Sequence, residues 1–363
     1  MNIFNLRLRR RPQDFELAKF KNNDKISKLR MLTARALGAR INNAVRDRQA
    51  IVSSSPDIDP DFAMPAANWD SPANDHLKNY RLLASLTPEE IRALRFRSQN
   101  FTGNNLKTMS HAVPGSSGSD SIPDGVEARW AEKIRDQVVA HWNAITRDIA
   151  ANRILSAPNI LGEVGWWYDG RILNVDMNDY QERMSLLSLS GVLDRFGDQS
   201  PRILEIGGGY GALCLGLLTA LKPSQYVICD LPESLLFSGL YLKLASRNTV
   251  RIATRESSLE PETEGEICLL PNYLAEVLMP TQSFDLVINT LSMSEMSPHQ
   301  VETYGAMVSK AIGSSGIFFE QNQSNKHLGL IDCRDYLPRF FRDQRIIEPN
   351  IPTTRGAAII WAN

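Results

Sequence analysis

The sequence predicts an α/β fold: an open, mostly parallel sheet in the C-terminal part, behind a mainly helical N-terminal region. Three observations predict it. The stretch Ile203-Leu204-Glu205-Ile206-Gly207-Gly208-Gly209-Tyr210-Gly211-Ala212 has the order of a buried strand, a glycine turn and a helix. Beyond it, short apolar runs alternate with helix-length spacers up to the C-terminus. Before about residue 155 the apolar spacing is helical, with capping signatures and long loops. A chain of 363 residues exceeds a typical compact domain but fits one α/β unit with a helical extension. The expected division is an accessory or lid region over 1–155 and the sheet domain over 156–363.

The segment up to Arg48 is basic, with Arg7, Arg9, Arg10 and Arg11 ahead of scattered lysines and arginines. It is expected to be a solvated helical arm in which Leu29, Leu32 and Leu37 pack; a docking surface for an acidic carrier is the alternative. Residues 53–75, rich in Pro, Asp, Ser and Ala, have the chemistry of a connector. Thr87-Pro88-Glu89-Glu90 is a capping box that starts a short helix to about Phe96. The stretch 103–125 is a long loop, either an active-site lid or disordered. From Val126 to Ala151 the spacing predicts a helix whose apolar stripe is Trp130, Ile134, Val138, Trp142 and Ile145, with His141 beside it. Two β-like runs around Asp169-Gly170, from Gly162 to Leu173, predict a hairpin. A helix from about Tyr180 to Phe196 then leads into the strand at Ile203.

Charge excludes several classes of function. Forty Lys plus Arg balance 41 Asp plus Glu, so no global field marks a nucleic-acid or membrane partner. The expected partner is a small molecule, and a homo-oligomer is compatible with the chain. No apolar run is long enough to span a bilayer, and the first thirty residues lack the apolar centre of a signal peptide. Cys214, Cys229, Cys268 and Cys333 have no CxxC spacing and are expected to be reduced and mostly in the core. A cytoplasmic enzyme is the expectation.

Glycines at 207, 208, 209 and 211 allow a tight turn and a close backbone approach to a ligand, over the N-terminus of the helix that follows. Taken alone, Gly207-x-Gly209-x-x-Ala212 also fits a permissive dinucleotide fingerprint. Gln225 to Asp230 forms the next strand and ends in an acid placed to accept hydrogen bonds from ribose hydroxyls. Ile267 to Leu270, Phe284 to Asn289 and Gly316 to Glu320 supply further strands. Arg345 to Ile347 and Ala357 to Trp361 supply the last pair. Ligand loops of such a sheet gather at the strand C-termini, which brings together Gly207 to Gly211, Asp230 with Leu231, Pro271-Asn272, Asn289 to Met296 and Glu320-Gln321.

Glu205 to Gly211, then Cys229-Asp230-Leu231-Pro232, then Phe284 to Asn289, resemble successive motifs of class I S-adenosylmethionine-dependent methyltransferases. The acid two residues ahead of the first glycine is the discriminating detail. The resemblance implies a Rossmann-like, mostly parallel, seven-stranded sheet with an antiparallel last strand, and S-adenosylmethionine as cofactor. It implies that Gly207, Gly209 and Gly211 pass the methionine moiety, Glu205 organises the amino end and Asp230 holds the ribose. Gly208, Tyr210, Leu231, Asn272 and Asn289 complete the expected cofactor site. A narrower resemblance, to sugar O-methyltransferases, rests on Gly-Gly-Gly-Tyr-Gly, Asp-Leu-Pro and Ser292-Met293-Ser294-Glu295-Met296, and extends upstream through Gly162 to Gly165 and Asn174 to Tyr180.

A hydroxyl attacking a sulfonium methyl group needs in-line positioning and a base or metal to manage its proton. Ser297-Pro298-His299-Gln300 caps a helix and puts His299 in its first turn, as one candidate base. Glu295, just before that cap, and Glu320, at the end of the fifth strand, are the others, with His327 as runner-up. No metal site is assigned, because the spacing of Glu295, His299 and Glu320 is not metal-specific. The alternatives are N- or O-methylation of an amino-acid-like or carrier-bound intermediate, a non-catalytic cofactor-binding protein, and an NAD-dependent dehydrogenase.

Overall fold

The computed structural model describes residues 17–18, 26–66, 69, 75–98, 124–163, 165–348 and 350–363. Three short strands, β1 (Leu17–Ala18), β2 (Gly165–Tyr168) and β3 (Arg171–Leu173), make a small antiparallel sheet. The predicted hairpin is its β2–β3 pair. Asp169 and Gly170 at the tip take φ of 49° and 73°, as a two-residue turn with a right-handed strand twist requires.

The main sheet holds β4 (Arg202–Ile206), β5 (Gln225–Asp230), β6 (Val250–Ile252), β7 (Glu266–Pro271), β8 (Leu286–Thr290), β9 (Ile317–Gln321), β10 (Asp343–Ile347) and β11 (Ala358–Ala362). Their order is β10-β11-β9-β8-β4-β5-β7-β6, with β11 antiparallel to both neighbours and every other pair parallel. This is a Rossmann-like sheet with an antiparallel final strand, but of eight strands rather than the expected seven. The extra one, β6, is a three-residue edge strand too short to announce itself. It is pinned to β7 by Arg251, whose Nε lies 2.7 Å from Glu266 Oε1. Strand order reverses between β4 and β8, so the crevice outside their C-terminal ends is where such a sheet binds ligands.

The helix Lys28–Ser54 is capped by Ser27 and lies on the helix Pro232–Ala245. Met31, Ala34, Leu37 and Ile41 recur every three or four residues and are buried, in one cluster with Ile203, Ile228 and Leu269 of the sheet. Leu29 and Leu32 fall off that stripe and are 71% and 58% exposed, contrary to the expected packing. Arg48 closes the contact with a two-pronged ion pair to Glu233 at 3.0 and 2.9 Å.

Thr87 caps its helix as predicted, but Glu90 turns to Arg97 at 2.8 Å instead of back to the cap. The helix Asp124–Thr146 buries Val138, Trp142 and Ile145, while the side chains of Trp130 and Ile134 lie outside the described residues. The loop expected over 103–125 lies outside them up to residue 123. The helix expected from Tyr180 to Phe196 is two, Val175–Leu189 and Val192–Phe196, because Gly191 between them takes a left-handed φ of 78°. All four cysteines are free and buried. Among the described residues no helix is long and apolar enough to cross a membrane.

Candidate active site

The glycine turn is built by three left-handed glycines, Gly207, Gly209 and Gly211, at φ 75°, 57° and 93°. An alanine at 207 would put its Cβ 2.1 Å from Ser292 Oγ, so the turn needs glycine there for space as well as for angle. At Gly208 a Cβ would lie 2.6 Å from the side chain of Ile228. Gly211 starts the helix Ala212–Leu221, whose amides back the turn.

Two adjoining clefts open over this turn. The first, of about 50 Å³, is walled by Tyr180, Arg183, Glu205, Gly207 to Gly209 and Asp230, and by Leu291 and Glu295 on the far side. The second, of about 60 Å³, shares Trp69, Asp230 and Glu295 and adds Leu231, Asn272 and Tyr304. Glu205 is buried and accepts a hydrogen bond from Tyr226 at 2.8 Å, yet burial pushes its carboxyl up to about 8. Asp230 accepts from the backbone N–H groups of Leu231 at 2.7 Å and Gly209 at 3.3 Å. Burial in the cleft wall outweighs those bonds and raises it to about 7. Glu295 is raised by burial too, against a hydrogen bond from Trp69 and the charge of Arg355. Three carboxyl groups thus line one cleft with their ionised forms disfavoured, a setting suited to cationic ligands and to proton transfer.

Other expected site residues stand elsewhere. Tyr210 does not line the clefts; it is fully buried under the turn, edge-on to Tyr180 and Tyr241, with the Arg95 guanidinium 3.6 Å from its ring centre. A large ring on a turn whose backbone faces the cleft is driven the other way, into the core. Asn289 is buried below the cleft, where Nδ2 bonds Ile206 O at 2.8 Å and Ser292 Oγ at 2.5 Å, so it positions Ser292. Asn272 does line the second cleft; its Nδ2 bonds Ala63 O at 2.9 Å and its buried Oδ1 has no partner within the chain.

Of the candidate bases Glu295, His299, Glu320 and His327, Glu295 alone lines the clefts. The predicted capping box forms, and it turns His299 outward, half exposed, to a 2.5 Å pair with Asp59. Glu320 is fully buried and committed to the loop beyond β9, with Asn322 N at 2.7 Å and Arg334 Nε at 3.2 Å. His327 is exposed on a short turn. Among the described residues no group of three His, Cys, Asp or Glu has the geometry to hold a metal ion.

Sequence reasoning missed Arg183, Trp69 and Ser234. Asn174 caps the helix Val175–Leu189 as a polar start, but that helix is buried on nearly every side while carrying Asn178, Asp179, Gln181, Glu182 and Arg183. A run of buried charge has no periodicity to find; the resemblance extending to Tyr180 was its one signal. Trp69 lies in the stretch taken for a connector, where it meets His76 edge-on at 5.0 Å, and His76 in turn bonds Ser234 Oγ at 3.2 Å.

No family model matches this chain, and no curated protein does. Solved structures share similarity with it at low identity. One is phosphoethanolamine N-methyltransferase 2 of Haemonchus contortus with phosphomonomethylethanolamine and S-adenosylhomocysteine: 14% identity, 44% of this chain, 37% of that one and a TM-score of 0.32. Another is magnesium protoporphyrin IX methyltransferase of Synechocystis with bound S-adenosylhomocysteine: 9%, 64%, 97% and 0.35. A third is a spermidine synthase with a transition-state analogue: 19%, 55%, 64% and 0.34. The chain spans less than two thirds of the first and third. At these values the fold assignment rests on the sheet order, and the chemistry on the site.

Proposed function

We propose that this chain is an S-adenosylmethionine-dependent O-methyltransferase acting on a hydroxyl of a sugar or glycosylated metabolite. The observation that carries the reading is the convergence of Glu205, Asp230 and Glu295 on one cleft over the glycine turn, at the point where strand order reverses. The residues suit the cofactor. Glu205 meets a cationic amine, Asp230 accepts from ribose hydroxyls, and the unpartnered Oδ1 of Asn272 accepts from an exocyclic amine of a base. When bound, the cofactor supplies an electrophilic methyl group. Glu295 takes the proton of the acceptor hydroxyl as its oxygen attacks; burial, which raises its pKa, makes it a stronger base than an ordinary carboxylate. The sugar acceptor rests on the segment Ser292 to Met296, whose Ser292 and Glu295 face the clefts.

Calorimetric titration with S-adenosylmethionine and with NAD tests the cofactor, and binding of NAD alone overturns the proposal. With a glycoside acceptor, Glu295→Gln is expected to slow turnover by about 10²- to 10⁴-fold at unchanged cofactor affinity. His299→Ala, on the outer face, is expected to retain wild-type turnover. A wild-type rate in the Glu295 variant removes the base assignment.

A further inference from the structure

We propose that Trp69, brought to the site by the N-terminal region, positions Glu295: its indole N–H holds one carboxylate oxygen and leaves the other open to the hydroxyl of the acceptor. This rests on the base assignment made above and names the residue that sets the direction of that base. Trp69 and Glu295 both line both clefts. The carboxyl of Glu295 receives its hydrogen bond from the Trp69 side chain, whose one polar atom can donate and never accept. Glu295 closes the short turn Ser292–Glu295, and the start of that turn is held from below. Ser294 Oγ donates to Gln323 O at 2.7 Å, and Asn289 Nδ2 to Ser292 Oγ at 2.5 Å. Those bonds fix the turn and leave the long glutamate side chain free to swing.

The donor is anchored to the same stretch of chain as the acid. Gln300, in the first turn of the helix that follows Glu295, donates through Nε2 to Phe62 O at 3.1 Å and Met64 O at 2.8 Å. Trp69 N then closes a turn on Ala66 O at 2.8 Å, and the indole ring meets His76 edge-on. Acid and donor are therefore set relative to one another through the start of one helix. A carboxylate held at one oxygen presents the other in a fixed direction, as in-line attack on a sulfonium methyl group requires. Arg355 acts on Glu295 by its charge, and Glu205, Asp230 and Arg183 share the first cleft with it. His76 is lowered to about 3 by burial and stays neutral beside the indole.

The test has two arms, both on the full-length protein. Without ligand, the indole N–H resonance of Trp69, one of six tryptophans, is identified as the signal missing from Trp69→Phe. It is expected to shift as Glu295 ionises and to lose that shift in Glu295→Gln, where Glu205 and Asp230 still titrate. With S-adenosylmethionine and a glycoside acceptor, Trp69→Phe keeps an aromatic ring and loses the donor. Its kcat is expected to fall by about 10- to 100-fold, the scale of one hydrogen bond to a charged group, while KM for S-adenosylmethionine stays near the wild-type value. The acid limb of its rate profile should move to higher pH, because the base loses a bond to its ionised form. An indole signal indifferent to pH, or one whose shift persists in Glu295→Gln, overturns the proposal. So does a Phe variant whose acid limb stays in place, since a structural loss lowers the rate at every pH alike. If the wild type methylates no glycoside, the acceptor reading fails by itself, and the indole signal decides the positioning contact without substrate.

Discussion

At Glu205 the cost of function is visible in a single side chain. Its carboxyl moves from an ordinary value of 4.5 to about 8 because it is buried, with Tyr226 alone to bond it among the described residues. The folded protein therefore keeps a proton that the unfolded chain gives up between about pH 4.5 and pH 8. Stability contributed at this position is full below pH 4.5 and is lost as pH rises towards 8. Glu205→Gln is accordingly expected to raise the ligand-free melting temperature at pH 8, with the difference shrinking towards pH 4.5, in paired thermal melts. An unchanged difference across that range would show that the carboxyl is not the source. The acid itself was legible, because it precedes a glycine turn. Its desolvation was not, since that depends on Tyr226 and the helix bearing Arg183, both remote in sequence.

Among the elements, strand–turn–helix units were the most legible, because a buried parallel strand is a short apolar run and its turn needs glycine. The β4 turn, the strand ending at Asp230, the Asp169-Gly170 hairpin and the Ser297 cap all form where local chemistry put them. What failed was direction. The Ser297 cap was correct and His299 still points outward, since a cap fixes where a helix starts and not which face meets the sheet. The turn yields a sharp prediction. Gly207→Ala sets a methyl group 2.1 Å from Ser292 Oγ at a left-handed φ, and is expected to cost about 1–3 kcal/mol in chemical denaturation. Cofactor affinity should fall with it, because Ser292 must leave the cleft wall; unaltered affinity would mean that the turn adjusts elsewhere.

Across the whole molecule, the N-terminal region is part of the core. Met31, Leu37 and Leu83 belong to one apolar cluster with Ile203 and Ile228, Ala63 O bonds Asn272 of the second cleft, and Trp69 lines the site. The packing of Leu37 was expected, whereas the contacts of Ala63 and Trp69 were not legible from 53–75, a stretch without an apolar period. Arg95 is the main tie, joined to Glu163, Asp176 and the ring of Tyr210. Arg95→Met would leave two carboxylates buried without their cation, and is expected to lower unfolding free energy by about 3–5 kcal/mol in urea titration. A loss within error of zero would show that those acids simply take up protons.

The place of Tyr210 bears on how such a chain can be recombined. The one bulky residue of the glycine turn faces inward and rests on an arginine from the N-terminal region. A graft of the turn and its sheet onto another extension would keep every residue facing the ligand and lose the support beneath them. Heredity must therefore carry Arg95, Glu163, Asp176 and Tyr210 as a linked set, and a hybrid gene joined between them inherits a turn without its footing.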